Sequence, residues 1–596
     1  MPLQQQRIGN LVGVNLRRDR LSLADEEMAR AINADLYSHP GVVLGRAGKR
    51  QVLESALGTA GSQTVRWIER LQSRRYTVID NEVFRHQTEI ITNLAARYLT
   101  CNMFAFRPLN DTTTWVFFVN GDMSKDDGTT LRNWGSEPPV AAPTLTPAAP
   151  GDLVGNYSAR YTYARVVSGS VAYETNPSPQ PGTVSLGGFN FLKVDVVASA
   201  DGQITNIRIY RTQAGGSIFL FDQQVANSTA TINSTKIDSL LGEAMETDNN
   251  QPSVAGWGVV HQGHVFLVQA QTPTSLYWSK RFRPEQFPTT NFLSIGNADD
   301  PLECAFSIGG FLGLFARKTK YRILGNSTTG FAAQESLSSR GIVHPNGAAL
   351  GEYGVSFIAR DGIFLTDFLS PDRLLSAAIE PLFFGETRND YLPINFSGIL
   401  RPSVYADAVP SPTLSPNVAM TWFKGRLYCA YPSGSSTTPD MLMVWARDTN
   451  HWYFYQLEAT ALSFEEDIDQ LTIGDTTGKL YALEQFSTAP PEMQEGTYTI
   501  SVQSADRGGD DPYVFKRFLW IRVDAEEATF TCALYIDGTL RFTFVVVGNR
   551  SRTLTRLPPN LFGFVWRLQV SWAQTGSSAR GAFHGAECLY EPLEPV

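Results

Sequence analysis

The sequence predicts a mainly β protein: a β-propeller body, a β-sandwich inserted into it, a second sandwich at the C-terminus and one short N-terminal helix. Three observations predict it. Between residues 253 and 488 one unit recurs roughly every 40 to 60 residues, a short apolar strand, a glycine turn, a second strand and a longer loop. Glycine (49 residues) and proline (33) fall between short apolar runs. Only 18% of the residues are charged, which suits strands and turns or a chain that hides surface in an assembly.

The 596 residues are too many for one compact core, and 43% hydrophobic with 11% aromatic content excludes wholesale disorder. A formal net charge of −9 argues against a broad basic surface that clamps phosphates. An acidic wall that lets DNA slide past remains compatible. Cys101, Cys304, Cys429, Cys532 and Cys588 are scattered without a CxxC pair, as expected for buried, reduced thiols in a protein folded in a cytoplasm. The opening "MPLQQQRIGNLVGVNLRRDR" lacks the apolar core of a signal peptide. No 18-residue apolar run occurs, so neither a transmembrane helix nor a membrane anchor is expected.

Residues 1–135 read as a docking segment with the helix and the first strands. The helix is expected in "SLADEEMARAINADL", with Ser22 as N-cap and Asp25 in the capping-box position. Residues 136–252 read as a proline-rich linker, "SEPPVAAPTLTPAAPGD", followed by a small antiparallel sandwich. Within it Tyr161, Tyr163 and Val166 alternate with a phase slip at Ala164, and Ile207 and Ile209 alternate with Arg208. Residues 253–488 hold the main blades. Their hairpins turn at His261-Gln262-Gly263, Arg360-Asp361-Gly362, Lys424-Gly425-Arg426 and Thr477-Gly478-Lys479, where glycine supplies positive φ. Residues 489–596 open on a second linker-like stretch and read as an independent sandwich with a strong hairpin signal at Asp537-Gly538.

No stretch assembles a nucleophile, a base and an oxyanion hole, so no catalytic activity, metal or cofactor is expected. His261 and His264 lack the zinc-helix spacing and flank a turn. "DMSKDDGTT", from Asp122, departs from a calcium loop at its sixth and twelfth positions. "GRAGKR", 45–50, lacks the phosphate-loop spacing. Glu465, Glu466, Asp467 and Asp469 could supply paired carboxylates, but a solvated loop is the plainer expectation. The basic, aromatic, proline-broken stretch at 276–288, with Lys280, Arg281, Phe282 and Arg283, reads as a docking or structural loop. Arg17, Arg18 and Arg20 form a second candidate interface.

Two long stretches carry a resemblance. "LYWSKRFRPEQFPTTNFLSIGNADDPLECAFSIGGFLGLFARKTKYRILG" and "GIVHPNGAALGEYGVSFIARDGIFLTDF" resemble the nozzle, or tail tubular B type, proteins of short-tailed bacteriophages. "GVNLRRDRLSLADEEMARAINADLYSHPGVVLGRAGKR" is similar to that family's opening. The 140–250 unit, with "NPSP" and "IRIYRT", resembles fibronectin-like inserts of phage structural proteins. The resemblance implies a six-bladed propeller and a homohexameric ring in the virion tail. It implies that the ring extends the DNA ejection channel between an adaptor protein and the tail fibres or spikes, with genomic DNA passing transiently. A carbohydrate-recognising receptor-binding or spike protein is the alternative, and a glycan-cleaving tailspike a third.

Overall fold

The structure, a computed structural model, describes residues 2–53, 55–58, 63–80, 82–91, 102–119, 123–269, 272–338, 340–399, 418–484, 497–574 and 580–593. Its secondary structure is almost entirely strand. The chain divides into two compact units: residues 1–93, 317–319 and 336–596, and residues 94–316 and 320–335. This division crosses the boundaries expected at 252 and 488.

Four-stranded antiparallel meanders of the propeller type recur within each unit. In the second unit they span 102–133, 255–294 and 302–335, and in the first unit 65–91 and 348–374. Tight turns make them. Gln262-Gly263 (φ 50° and 80°) and Lys424-Gly425 (46° and 74°) place two consecutive left-handed residues, which matches the right-handed twist of the strands they join. A further sheet in the first unit takes Ala461–Glu465, Gln470–Gly474 and Leu480–Leu483, and its fourth strand, Arg50–Gln51, comes from the far end of the sequence.

The inserted sandwich lies in the second unit. A three-stranded sheet (Thr144–Tyr157, Val184–Val196, Ala230–Ser234) faces a four-stranded one (Ser170–Glu174, Ala159–Val167, Asn206–Arg211, Leu220–Ala226). Tyr161, Tyr163, Leu192, Val194, Ile207 and Ile209 form its core. The phase slip expected at Ala164 falls further along the strand, as a register shift between Arg165 and Val166. The expected linker is corrected in its second half, because Thr144–Tyr157 is a 14-residue strand. It carries Pro147 and Pro150 because it lies at a sheet edge, where one side of the backbone donates to no ladder.

Two more expectations are corrected in the first unit. The N-terminal helix is reduced to a single 3-10 turn, Arg20–Ser22, capped by Asp19, and Glu27–Ile32 is a strand. That strand pairs in parallel with Gly13–Val14 and antiparallel with Tyr498–Ser504. Met28, Ala29, Ala31 and Ile32 are buried by these neighbours, which overrides a modest helical preference. The C-terminal segment is not independent. Its strands join the meander at 419–456 and the N-terminal strands in one 15-stranded sheet, and Gln4–Ile8 pairs with Ala582–Pro592. The second linker-like stretch lies largely outside the described residues.

Candidate docking site

The loop after Ser275–Trp278 is built on hydrogen bonds to its own blade. His264 Nδ1 lies 2.7 Å from the Ser279 carbonyl. The Lys280 N–H donates to Gln286 O (2.7 Å), and the Phe282 N–H donates to Gly263 O (2.6 Å). Gly263 is required there twice over. Its φ is +80°, and a Cβ would fall 2.7 Å from the Phe282 ring.

Charge then ties the loop down. Lys280 Nζ and Arg283 Nη1 converge on Glu246 Oε2, at 3.3 and 2.7 Å. Beneath them Glu285 is buried against Lys125, and Arg165 lies 3.5 Å from Glu285 and 2.7 Å from Asp111. The Trp115 ring lies 4.5 Å from Lys125 Nζ and 4.9 Å from the Arg165 guanidinium, and its Nε1 donates to Asp111 (2.9 Å). Burial pushes the Lys125 ammonium down to about 8, with Glu285 opposing the shift. Trp134 Nε1 donates to Pro284 O and Gln286 Nε2 to Glu174 O, which joins the loop to the insert.

Arg281 and Phe282 are the two of the four expected docking residues that the loop leaves outside this latch. Arg281 is exposed with its guanidinium 4.9 Å from the Phe282 ring centre, and Phe282 is 41% exposed. Phe282 sits at φ 56°, a left-handed conformation costly for a bulky residue. A cavity of about 500 Å3 opens beside it, lined also by Arg107, Leu109, Asn110, Ser168 and Ser170. Asn110 (φ 62°) and Ser168 (51°) are left-handed as well. Sequence reasoning missed this wall. The turn-forming text "RPLND" and the Ser168-Gly169 turn were its only signals.

Arg17, Arg18 and Arg20 belong to the other unit. Arg17 pairs with Glu380 (3.1 Å), Arg18 with Glu27 (3.7 Å), and Arg20 Nε donates to Asn389 Oδ1 (2.5 Å). Each of the three therefore has a partner within its own chain.

The remaining candidates resolve locally. Asp127 accepts from the Thr129 and Thr130 N–H groups at 2.7 and 2.8 Å, a hairpin turn whose hydrogen bonds hold its carboxyl below the usual range against the opposing effect of burial. Asp122 lies outside the described residues. Arg46 of "GRAGKR" is buried, its Nε donating to Asn33 Oδ1 (3.2 Å) and its guanidinium 4.1 Å from the Tyr498 ring centre. Glu465 is fully buried in a bidentate pair with Arg75 (both contacts 2.5 Å), and Asp467 binds Arg70 (2.6 Å). These carboxylates anchor strands. Beside them Glu69, which the sequence did not single out, has its carboxyl pushed up to about 7 by burial and by the Glu465 charge, with a Trp67 hydrogen bond opposing. His261 and His264 are buried neutral: burial lowers both, and each leaves Nε2 without a hydrogen-bond partner. Cys429, Cys532 and Cys588 are buried free thiols, Cys304 is buried as well, and burial raises Cys532 to about 12. Among the described residues no group of three or more metal-ligating side chains is found, and no helix is long and apolar enough to cross a membrane.

No family model and no curated protein matches the chain. Solved structures similar to it include an exo-β-1,3-galactanase from Phanerochaete chrysosporium with galactose, at 7% identity over 56% of this chain and 96% of that one, TM-score 0.22. Kluyveromyces lactis Hsv2 is 9% identical over 66% of this chain and 97% of its own, TM-score 0.25. PorZ, a surface component of the type-IX secretion system of Porphyromonas gingivalis, is 10% identical over 90% and 83%, TM-score 0.21. The expectation of no catalytic activity is corrected here, because enzymes stand among the structures this chain is similar to. At these identities the likeness concerns the fold alone and brings no substrate with it.

Proposed function

We propose that the chain is a structural virion protein that forms a homohexameric tail nozzle, extends the DNA ejection channel and anchors to an adaptor ring and fibres. The observation that carries this reading is the internal neutralisation of its basic candidates. Lys280 and Arg283 are held on Glu246, Arg17 on Glu380 and Arg18 on Glu27, in a chain of net charge −9. A wall of this kind offers a passing phosphate backbone few places to stick. The resembling stretches also fall on structural repeats. "LYWS" contributes the strand Ser275–Trp278, and "CAFSIGGFLGLFARKTKYRILG" runs through the first three strands of the next meander.

The test is the copy number of the chain in density-purified particles, by quantitative peptide mass spectrometry against the capsid protein. About six copies per particle are expected for a closed six-fold ring. Absence from particles overturns the reading. One observation favours a second reading, carbohydrate recognition: the half-exposed Phe282 ring beside a cavity edged by Asn110, Ser168 and Ser170. Saturable glycan binding that Phe282→Ala abolishes would support it.

A further inference from the structure

Thr539–Arg556 is an 18-residue strand that, among the described residues, pairs on one side only, with Lys516–Ile536. Long free edges invite another strand, and proteins ordinarily blunt them. This one stays apolar and basic. Leu540, Val545, Val547 and Leu554 are each at least half exposed, and the strand holds Arg541, Arg550, Arg552 and Arg556 with no acidic residue. Natural edges do carry charges as a defence, but a cation such as Arg556 in an acidic chain also selects the partner.

The same sheet has a second free edge. Reading across it, Thr553–Arg556 pairs with Trp520–Val523, that segment pairs with Ala586–Leu589, and Ala586–Tyr590 pairs with Gln4–Ile8. Gln4–Ile8 has no other strand partner among the described residues. All three pairings are antiparallel, so the two outer edges run in opposite directions. Extending the sheet by a second copy would therefore set Gln4–Ile8 of one copy antiparallel to Thr553–Arg556 of the next.

Charge favours this arrangement. Thr539–Arg556 contains no acidic residue, so a second copy of the same strand brings Arg556 no counter-charge. The Gln4–Ile8 edge is flanked by acid instead. Gln4 Nε2 lies 3.5 Å from Asp510 Oδ2, the Gly509 N–H donates to Gln6 Oε1 (3.1 Å), and Asp510 and Asp511 are exposed. Antiparallel addition brings the Arg556 end of one edge to the Gln4 end of the other, beside Asp510. Arg7, the one cation on the short strand, falls toward Thr553.

We propose that copies of this chain associate head to tail by β-strand addition, the edge Gln4–Ile8 of one copy pairing with Thr553–Arg556 of the next. Such heterologous contacts generate rings when the rotation closes. The proposal rests on the ring reading above and names the contact that would build it.

The test uses the full chain with Gln5→Cys and Thr555→Cys, opposed when Gln4 faces Arg556, oxidised and resolved without reductant. A ladder of disulfide-linked chains is expected from the double variant and none from either single variant. Arg556→Asp should weaken association at least tenfold by mass photometry, and Asp510→Arg in the same chain should restore it. Association without a ladder and without a charge-swap effect overturns this contact and leaves the ring reading standing. A ladder in a chain whose copy number in particles is far from six upholds the contact and overturns the ring. A chain that neither links nor associates at any concentration overturns the proposal.

Discussion

The loop at 280–288 and the strand Thr539–Arg556 read alike as sequence, each a basic stretch with exposed apolar or aromatic residues, and they fold to opposite ends. In the loop Lys280 and Arg283 turn onto Glu246, and Glu285 is sunk between Lys125 and Arg165. In the strand one backbone edge stays open and four valine and leucine side chains face outward. The difference teaches that a basic stretch stays available for docking only where the fold leaves its backbone edge and apolar side chains open. In the loop the closing partner is distant in sequence, as Glu246 is from Lys280 and Glu285 from Lys125.

The comparison breaks first at Glu285. Glu285→Gln leaves Lys125 buried without its paired carboxylate, while Arg165 keeps Asp111, and should cost about 3–5 kcal/mol, the usual penalty for removing one partner of a buried pair. Chemical denaturation followed by the fluorescence of Trp115 and Trp134 reads it. Lys125→Met with Glu285→Leu should cost much less, because no charge is then stranded. A loss below about 1 kcal/mol for Glu285→Gln would mean that charge does not hold the loop.

A second inward-facing group gives a gain. Glu69 has a folded-state carboxyl raised to about 7, so its contribution is favourable below its ordinary range near 4.5 and is lost as pH rises through 7. Glu69→Gln should stabilise the first unit by about 1–2 kcal/mol above pH 8, discounted for partial solvent access, and by little at pH 4. Thermal unfolding at the two pH values checks it.

Acid probes the base of the loop. Burial holds His261 and His264 below the ordinary imidazole value of 6.5, with His264 pressing on His261 and Arg281 on His264. Both are neutral when folded, so their contribution is present above pH 6.5 and is lost as pH falls through their folded values. Hydrogen-exchange protection at 264–268 and 279–283, taken relative to the intrinsic rate at each pH, should fall between pH 7 and pH 5. In a His261→Gln, His264→Gln chain that pH dependence should vanish.

The smallest effects should lie at the surface. Lys280→Ala should cost about 0.2–1 kcal/mol, since Glu246 is 47% exposed and keeps Arg283. Arg556→Asp should change unfolding free energy by about 0.5 kcal/mol or less while changing association, which separates an outward charge from an inward one.

Much of the architecture was legible in the residues themselves. Gln262-Gly263, Lys424-Gly425 and Asp537-Gly538 specify hairpins because a two-residue turn needs two positive φ angles, and glycine meets that need locally. Tyr161, Tyr163, Ile207 and Ile209 mark one face of a sandwich because side chains alternate across a strand. Glu27–Ile32 was not legible. Its text favours a helix, and the strands that claim it, Gly13–Val14 and Tyr498–Ser504, include one nearly five hundred residues away. The same limit hid the cavity beside Phe282, whose walls come from three separated turns. Local conformational preference is a property of neighbouring residues, so the sequence by itself determined turns, strand faces and the all-β class. Which edges pair, which charges are neutralised and which remain open depend on contacts across the whole chain, and the tertiary structure decided those.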